Sequence, residues 1–304
     1  MTHGTHTHMS PTLGTPTIQS PLRRTSTLAD GEPSFVPDDL YIRDCIQVRD
    51  GKSIKEELLF EMAGPRERIL FDPAHTRAAI VTCGGLCPGL NDVIRSVFLE
   101  LQMNYGVRHV LGIRYGYQGL NPQVGVPPLQ LTPAMVEDIH RESGTMLGSS
   151  RGSQDPAVMV DFLVQQDINI LFCVGGDGTQ RGTHAIYEEV HRRGLQIAIV
   201  GIPKTIDNDI PYCTQSFGLV TAVAEAQKVL DCAHAESKGV PYGIGLVKLM
   251  GREAGFIAAA ATVASQDVNF TLVPELPFVL EGEQGFLATL RRRLVDRRHA
   301  VIVV

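Results

Sequence analysis

Val174-Gly175-Gly176-Asp177-Gly178-Thr179-Gln180 is the stretch around which the rest of this 304-residue chain is organised. The apolar run from Ile168 to Val174 predicts a buried parallel strand, and a helical pattern follows to about Arg193. A strand, a glycine turn and a helix N-terminus together make an anion site, because unpaired backbone N–H groups and the helix dipole face one ligand. The glycines of this turn let the backbone approach a phosphate closely.

The carboxylate of Asp177 stands inside the glycine turn and would repel a bare phosphate. A bridging Mg²⁺ explains its presence, because a hard cation binds carboxylate and phosphate oxygens together. The alternative interpretation is a tight glycine turn with a solvated aspartate, since short glycine motifs also recur by chance.

The composition is typical of a soluble globular protein, with 43% hydrophobic and 20% charged residues. The length allows two domains with cores of their own. The net charge of −6 argues against a general nucleic-acid or membrane-surface binder, and no apolar run reaches the roughly 18 residues of a membrane span. The six cysteines lack zinc-finger spacing, which favours reduced thiols in a cytoplasmic protein.

Changes in composition divide the chain into four parts. Residues 1–33 are rich in Thr, Ser, Pro, Gly and His and predict a disordered tail, and residues 34–75 predict a leading extension draped over the first domain. Alternating strand and helix patterns predict α/β domains over 76–218 and 219–304. The sequence stops inside a predicted strand with nothing to cover it, so we expect the second domain to be truncated.

Two further stretches follow predicted strands. Gly84–Asn91 comes after the apolar run Arg77–Cys83 and precedes a helical pattern, which makes a second glycine loop suited to phosphate. In the loop Ser143–Gly152, Arg151 is able to clamp a phosphate in a bidentate manner, but its spacing alone fits a surface arginine equally well.

The segment Lys204-Thr205-Ile206-Asp207-Asn208-Asp209 crowds two acids and a lysine behind the strand that ends at Gly201. Ligands of open α/β sheets bind at that edge. One carboxylate can take a proton while the other orients it or helps to hold a metal, and the lysine would face phosphate oxygens. The alternative is an Asx-rich turn, but two acids and a lysine in one loop favour the functional interpretation.

Taken together, the motifs make residues 64 to 304 resemble a 6-phosphofructokinase, most closely the ATP-using subgroup of plants, trypanosomatids and bacteria. The stretches that carry the resemblance appear in the family's order: Gly84–Asn91, Gly144–Gly152, Gly175–Gln180, Pro203–Asp209, Met250–Arg252 and Pro274–Glu275. The resemblance implies two Rossmann-like three-layer α/β/α domains with mostly parallel sheets, the first binding nucleotide and the second, incomplete here, binding substrate.

The same resemblance implies a role for each matching residue. Asp177 would hold Mg²⁺, and ATP would be surrounded by Gly84, Gly85, Arg151, Gly152, Gly175, Gly176, Gly178 and Thr179. Asp207 would take the proton from the 1-hydroxyl of fructose 6-phosphate, supported in catalysis by Thr205, Asp209, Lys204 and Arg252. The sugar would contact Thr205, Ile206, Asp207, Met250, Gly251, Arg252 and Glu275. The product would be fructose 1,6-bisphosphate, in glycolysis, and the assembly a homodimer or homotetramer.

The phosphoryl donor depends on Gly178. The resemblance implies an Asp at this position in the pyrophosphate-using relatives. Its side chain and charge would crowd an α-phosphate, whereas glycine leaves room for a nucleotide. Lys204 is shared with the pyrophosphate users and favours the opposite choice, but a steric and charge block outweighs a cation that either donor tolerates. We therefore predict ATP.

Several alternatives stay open at this point. They are a pyrophosphate-dependent enzyme, another kinase that shares the Gly-Gly-Asp-Gly-Thr motif, and an inactive fragment or non-catalytic subunit. One departure from the family bears on these alternatives. Gly243 stands where the resemblance to the common bacterial enzymes implies an Arg that reaches a neighbouring subunit's sugar phosphate.

Overall fold

A five-stranded sheet forms the centre of the computed structural model, which describes residues 11–22, 35–44 and 58–304 and the backbone of three short strands over 6–8, 48–49 and 52–53. The strands of the central sheet are β1 (Arg77–Thr82), β2 (His109–Ile113), β3 (Leu129–Gln130), β4 (Ile170–Gly175) and β5 (Ala198–Pro203). Their order is β3-β2-β1-β4-β5, and every neighbouring pair is parallel except β3 with β2.

Strand β1 shows why the central strands are continuous apolar runs. Ala78 and Ile80 belong to the core on one face of the sheet, and Ala79 and Val81 belong to the core on the other. All four are fully buried. A parallel sheet covered on both faces makes both faces of its central strands apolar, so alternation disappears from the sequence.

Helices cover both faces of this sheet. Helix α1 (Leu90–Leu99) packs Ile94 and Phe98 on one face and continues into a π-helical turn, Glu100–Asn104. Helices α2 (Pro156–Gln165) and α3 (Asp177–Arg192) pack on the other face.

Shorter helical segments lie between the strands of the first sheet. They are the 3-10 segments Gly116–Leu120 and Ile139–Arg141 and the single-turn α-helix Pro133–Val136. Thr132 caps the helix Pro133–Val136, because its side chain accepts a hydrogen bond from the backbone N–H of Met135.

A smaller parallel sheet follows in the sequence. Its strands are β6 (Gly243–Val247), β7 (Phe270–Thr271) and β8 (His299–Val303), in the order β6-β8-β7. Helices α4 (Leu219–Gly239) and α5 (Phe256–Ser265) pack on one face, and α6 (Phe286–Arg297) packs on the other. The prediction of an α/β protein with mostly parallel sheets and helices on both sides is thus confirmed.

Strand β7 is much shorter than its sequence pattern suggests. The apolar run Phe270–Glu275 predicts six extended residues, but only Phe270–Thr271 pair with β8. Pro274 has no N–H to donate to a ladder, and the chain turns there, with Leu276 N–H bonded to Val273 O at 3.2 Å.

The first residues described lie against the leading extension. Ile18–Gln19 pairs antiparallel with Arg68–Ile69, and Ser20 is buried. Within the stretch predicted as a disordered tail, this backbone pairing supplies contacts that the polar side chains do not. Residues 1–5, 9–10 and 23–33 of the predicted tail lie outside the described residues.

Five more short strands complete the description of the leading region. Leu58–Glu61 pairs with Tyr41–Arg43 and with His6–His8, and Val48–Arg49 pairs with Lys52–Ser53. In the part of the chain that the structure describes, no helix has the length and apolarity needed to cross a membrane.

Candidate active site

Three loops meet at the carboxyl edge of the first sheet because β1, β4 and β5 are parallel neighbours. Backbone hydrogen bonds join them: Cys83 N–H donates to Val174 O at 2.8 Å, and Lys204 N–H donates to Gly175 O at 2.9 Å. The two segments that carry the predicted acids, Asp177 and Asp207, therefore leave the sheet from adjacent strands and at the same end.

Lys204 lies beneath the glycine loop Gly84–Asn91. Its side chain is 5% exposed, and its ammonium nitrogen donates a hydrogen bond to Gly85 O at 2.5 Å. Burial lowers the pKa of Lys204 because it removes water from the charged form, while the thiols of Cys87 and Cys83 and the carboxylate of Asp207 act in the opposite direction. The lysine is thus a positive group inside the site rather than a surface charge.

Asp207 is half-buried at the centre of the loop that follows β5. Its backbone N–H donates to Thr205 Oγ1 at 3.1 Å. Burial raises the pKa of Asp207, and the neighbouring Asp209 raises it further, whereas Arg252 and Lys204 lower it. Arg252 belongs to the second half of the chain, so a residue of that half affects the pKa of an acid in the first half.

Asp177 opens helix α3 and is exposed. Its carboxylate forms an ion pair with Arg181, one turn further along the helix. No group of three or more His, Cys, Asp or Glu side chains able to hold a metal ion occurs among residues 11–22, 35–44 and 58–304. A cation at Asp177 would therefore have to take most of its oxygens from a ligand or from water.

The glycines of the α3 turn serve different purposes. A Cβ at Gly175 would collide with the side chain of Thr179, whereas a Cβ at Gly178 would meet nothing within 4 Å. Thr179 is buried, and its carbonyl accepts a hydrogen bond from the hydroxyl of Tyr117 at 2.8 Å. Gly175 is required by packing, while Gly178 borders open space.

Arg151 lies beside the glycine loop Gly84–Asn91. Ser149 Oγ donates to Gly84 O at 2.6 Å, and a Cβ at Gly85 would lie 3.8 Å from the Arg151 guanidinium. Arg151 and Gly152 are exposed. The loop that ends in Arg151 is therefore fastened to the loop that begins at Gly84.

The second sheet contributes the segment after β6. Gly251 is buried with φ 146°, Met250 is 70% exposed, and Arg252 is exposed in the left-handed region at φ 58°. The Glu275 carboxylate accepts a hydrogen bond at 2.8 Å from the N–H of Gly255, the residue that caps α5. Glu275 is thereby held at a helix N-terminus, four residues after β7 and within the turn Val273–Leu276.

The sequence interpretation missed two residues that hold these loops. The Cys87 thiol donates to Phe217 O at 2.9 Å, and burial raises the pKa of Cys87 to about 11. Asn208 is buried between the two acids. A cysteine looks like a small apolar residue in a sequence, and an asparagine between aspartates looks like an ordinary turn, so neither pattern distinguishes them.

The chain belongs to the phosphofructokinase family: the family model described as Phosphofructokinase matches residues 77–304. Among curated proteins, it is 48% identical over 283 residues to an ATP-dependent 6-phosphofructokinase of Borreliella burgdorferi, covering 91% of this chain and 63% of that protein. It is 47% identical to ATP-dependent 6-phosphofructokinase 4, chloroplastic, of Arabidopsis thaliana, covering 95% and 54%, and 51% identical to the Trypanosoma cruzi ATP-dependent 6-phosphofructokinase, covering 81% and 50%.

Solved structures show the same fold. The Pichia pastoris phosphofructokinase in the T-state superposes with a TM-score of 0.66 at 20% identity, over 89% of this chain and 30% of that one. A pyrophosphate-dependent phosphofructokinase from Nitrosospira multiformis gives 0.64 at 21% identity, over 76% and 60%. The chain thus spans between half and two thirds of the length of the curated relatives quoted above.

Proposed function

We propose that the protein is an ATP-dependent 6-phosphofructokinase, which transfers the terminal phosphoryl group of ATP to the 1-hydroxyl of fructose 6-phosphate in glycolysis. The observation that carries the proposal is the meeting of three strand-end loops, with Lys204 hydrogen-bonded to Gly85 beneath them. The three curated relatives quoted above are all named ATP-dependent 6-phosphofructokinases, which supports the same activity.

The nucleotide would lie along the first sheet's glycine loops. Phosphate oxygens would accept hydrogen bonds from backbone N–H groups at the N-terminus of α3 and charge-assisted bonds from Arg151. The residues assigned to ATP are Gly84, Gly85, Arg151, Gly152, Gly175, Gly176, Gly178 and Thr179. The open space at Gly178 supports a donor with more than two phosphates, because no side chain occupies it.

Asp177 fits a role as the protein's ligand to Mg²⁺. It is an exposed carboxylate beside the phosphate loop, and the lack of a multi-residue cluster in the described ranges suits a cation that arrives with the nucleotide. When bound, Mg²⁺ would neutralise charge on the phosphates.

The chain's own residues would perform the proton transfer and support the phosphoryl group. Asp207 would accept the proton of the 1-hydroxyl, and its raised pKa brings it nearer to that task. Lys204 and Arg252 would supply positive charge to the transferring oxygens. Thr205 and Asp209 would hold the base and the phosphoryl group in place.

The sugar would bind between the two sheets. Ile206, Met250 and Gly251 would contact the carbon skeleton of the sugar and the edge of the sugar that faces the protein backbone. One oxygen of Glu275 would accept hydrogen bonds from the sugar hydroxyls. The other oxygen is held by Gly255 N–H, which fixes the direction of the carboxylate. Held in this manner, the 1-hydroxyl would face Asp207 and the phosphoryl group together.

The test compares donors in the complete protein. Turnover of fructose 6-phosphate with Mg-ATP and with Mg-pyrophosphate should differ by about tenfold or more in favour of ATP, a difference of about 1.4 kcal/mol in transition-state binding. Faster turnover with pyrophosphate would reverse the choice of donor. No turnover with either donor would identify a non-catalytic subunit and overturn the proposal.

The pyrophosphate-dependent activity is the second candidate, because Lys204 is a residue that both donor classes tolerate. A cytoplasmic location and a homodimeric or homotetrameric assembly belong to the same proposal. Since one relative is named chloroplastic, cell fractionation tests the first, and light scattering at several concentrations tests the second.

A further inference from the structure

Asn208 lies between the two acids of the β5 loop in an unusual backbone conformation. Its φ is 58°, in the left-handed region, and only 8% of the residue is exposed. Asparagine adopts this region more readily than other residues with a Cβ, because its short side chain can bond locally. The backbone therefore changes direction between Asp207 and Asp209, so the two acids cannot follow each other on one strand face.

The Asn208 side chain bonds forward to its own loop. Its Oδ1 accepts a hydrogen bond from Ser216 N–H at 2.7 Å, and its Nδ2 donates to Thr214 O at 3.3 Å. Ser216 is 4% exposed, so its N–H would lose its partner inside the protein if Asn208 were shortened. These two bonds close residues 207–216 into one unit.

We infer that Asn208 is a positioning residue, whose two side-chain bonds and left-handed backbone fix the carboxylates of Asp207 and Asp209 relative to each other. The inference rests on the proposed function, in which Asp207 is the base and Asp209 supports it. Asn208 itself would touch neither the sugar nor the nucleotide.

Three substitutions separate the features that Asn208 combines. Asn208→Gly keeps the left-handed backbone and removes both bonds. Asn208→Asp keeps an oxygen for Ser216 N–H, removes the donor to Thr214 and adds a negative charge between the acids. Asn208→Ala removes the bonds and also strains the backbone. A matched control is Gln266→Gly, at an exposed residue with φ 58° that ends helix α5.

The expected result is a loss confined to turnover. In Asn208→Gly we expect kcat to fall by about 10- to 100-fold, with KM for both substrates and the ATP Kd within about threefold of wild type. Asn208→Ala should lose more than Asn208→Gly, and Gln266→Gly should match wild type. Thermal unfolding of each variant checks that the fold is kept.

The pH profile gives a readout that a merely structural residue would not move. Asp207 is faced by Asp209, Lys204 and Arg252. A further carboxylate in Asn208→Asp would raise its pKa, so the acid limb of kcat/KM should move to higher pH. If Asn208→Gly does not fold, an unmoved acid limb in Asn208→Asp still overturns the inference.

The outcomes separate the inference from the proposed function. An inactive wild-type protein contradicts the proposed function. If the wild-type protein is active, the inference is overturned by Asn208→Gly with kcat within about twofold of wild type, by a kcat loss accompanied by an equal loss of ATP binding, or by an unmoved acid limb in Asn208→Asp.

Discussion

The ammonium nitrogen of Lys204 lies 2.5 Å from the carbonyl oxygen of Gly85, so the loop after β5 is fastened from below to the loop after β1. The strand between them, β4, leads into the glycine turn at the N-terminus of α3. A single buried side chain therefore spans the width of three strand ends. This contact gives the lysine a structural task as well as its proposed electrostatic one.

Lys204→Met tests the structural task. The substitution keeps most of the buried volume but leaves Gly85 O without its donor, so we expect the ATP Kd to rise by about tenfold, together with a lower Tm. Calorimetric titration with ATP and a thermal melt measure the two effects. Lys228→Met, at an exposed lysine paired with Glu225 on α4, is the control and should change neither. An unchanged ATP Kd in Lys204→Met would contradict the prediction.

Asp207→Asn should abolish most turnover while sparing binding. Removing a general base costs typically 10²- to 10⁴-fold in rate, and the amide keeps the shape of the carboxyl group. We expect kcat to fall by about 10³-fold with KM for fructose 6-phosphate changed by less than about threefold. Asp231→Asn, at an exposed position of α4, is the control. Near-wild-type turnover in Asp207→Asn would show that another group takes the proton.

The pH dependence follows from the groups around Asp207. Its pKa is raised above the ordinary value by burial and by Asp209 and is lowered by Arg252. As the proposed base, Asp207 would act only when ionised, so activity should be lost as pH falls through this raised pKa. Asp209→Asn removes a like charge and should move the acid limb of kcat/KM to lower pH, whereas Arg252→Gln should move it to higher pH. Identical limbs in all three proteins would exclude Asp207 as the titrating group.

The two glycines of the α3 turn should respond differently to substitution. Gly175→Ala places a methyl group against Thr179 and should lower the Tm, because the turn has no room to give. Gly178→Asp enters open space and should leave the Tm near wild type, while its charge weakens ATP binding by about tenfold or more. Melting curves and ATP titration measure both. Unchanged ATP affinity in Gly178→Asp would remove the basis for predicting the donor from this position.

Alkylation should distinguish the described cysteines, all of which are free. Burial raises the pKa of Cys83, and it raises those of Cys87 and Cys173 to about 11, so their reactive thiolate forms are scarce. Iodoacetamide at about pH 7.5 should modify the exposed Cys232 and spare these three until the protein is unfolded. Peptide mapping by mass spectrometry measures this. Rapid modification of Cys87 in the folded protein would contradict the buried hydrogen bond to Phe217.

The sequence predicted the strand–loop–helix units well because burial on both faces makes each central strand a run of apolar residues. The runs before Gly84 and Gly175 are of this kind, and the loops after them follow from the direction of parallel strands. The approach of Glu275 to the N-terminus of α5 and the burial of Lys204 depend on tertiary packing, which no local pattern contains.

Short backbone pairings were the weakest part of the prediction. The pairing of Ile18–Gln19 with Arg68–Ile69 rests on main-chain hydrogen bonds, which any sequence can form, so the polar composition of this stretch does not indicate it. The left-handed Asn208 was missed for a related reason. Its conformation is compensated by bonds to Thr214 and Ser216, residues that a turn pattern does not include.

The loop of Asp207 is tied to the first sheet at both ends, by Lys204 with Gly85 and by Cys87 with Phe217, and α4 starts only after the second tie. If the second sheet moved relative to the first at this point, Asp207 would stay with the glycine loops proposed to bind the phosphoryl donor, whereas Met250 and Arg252 would move. The geometry between base and donor would be set before any sugar arrives. Closure would then bring the acceptor and the positive charge of Arg252 to Asp207 together.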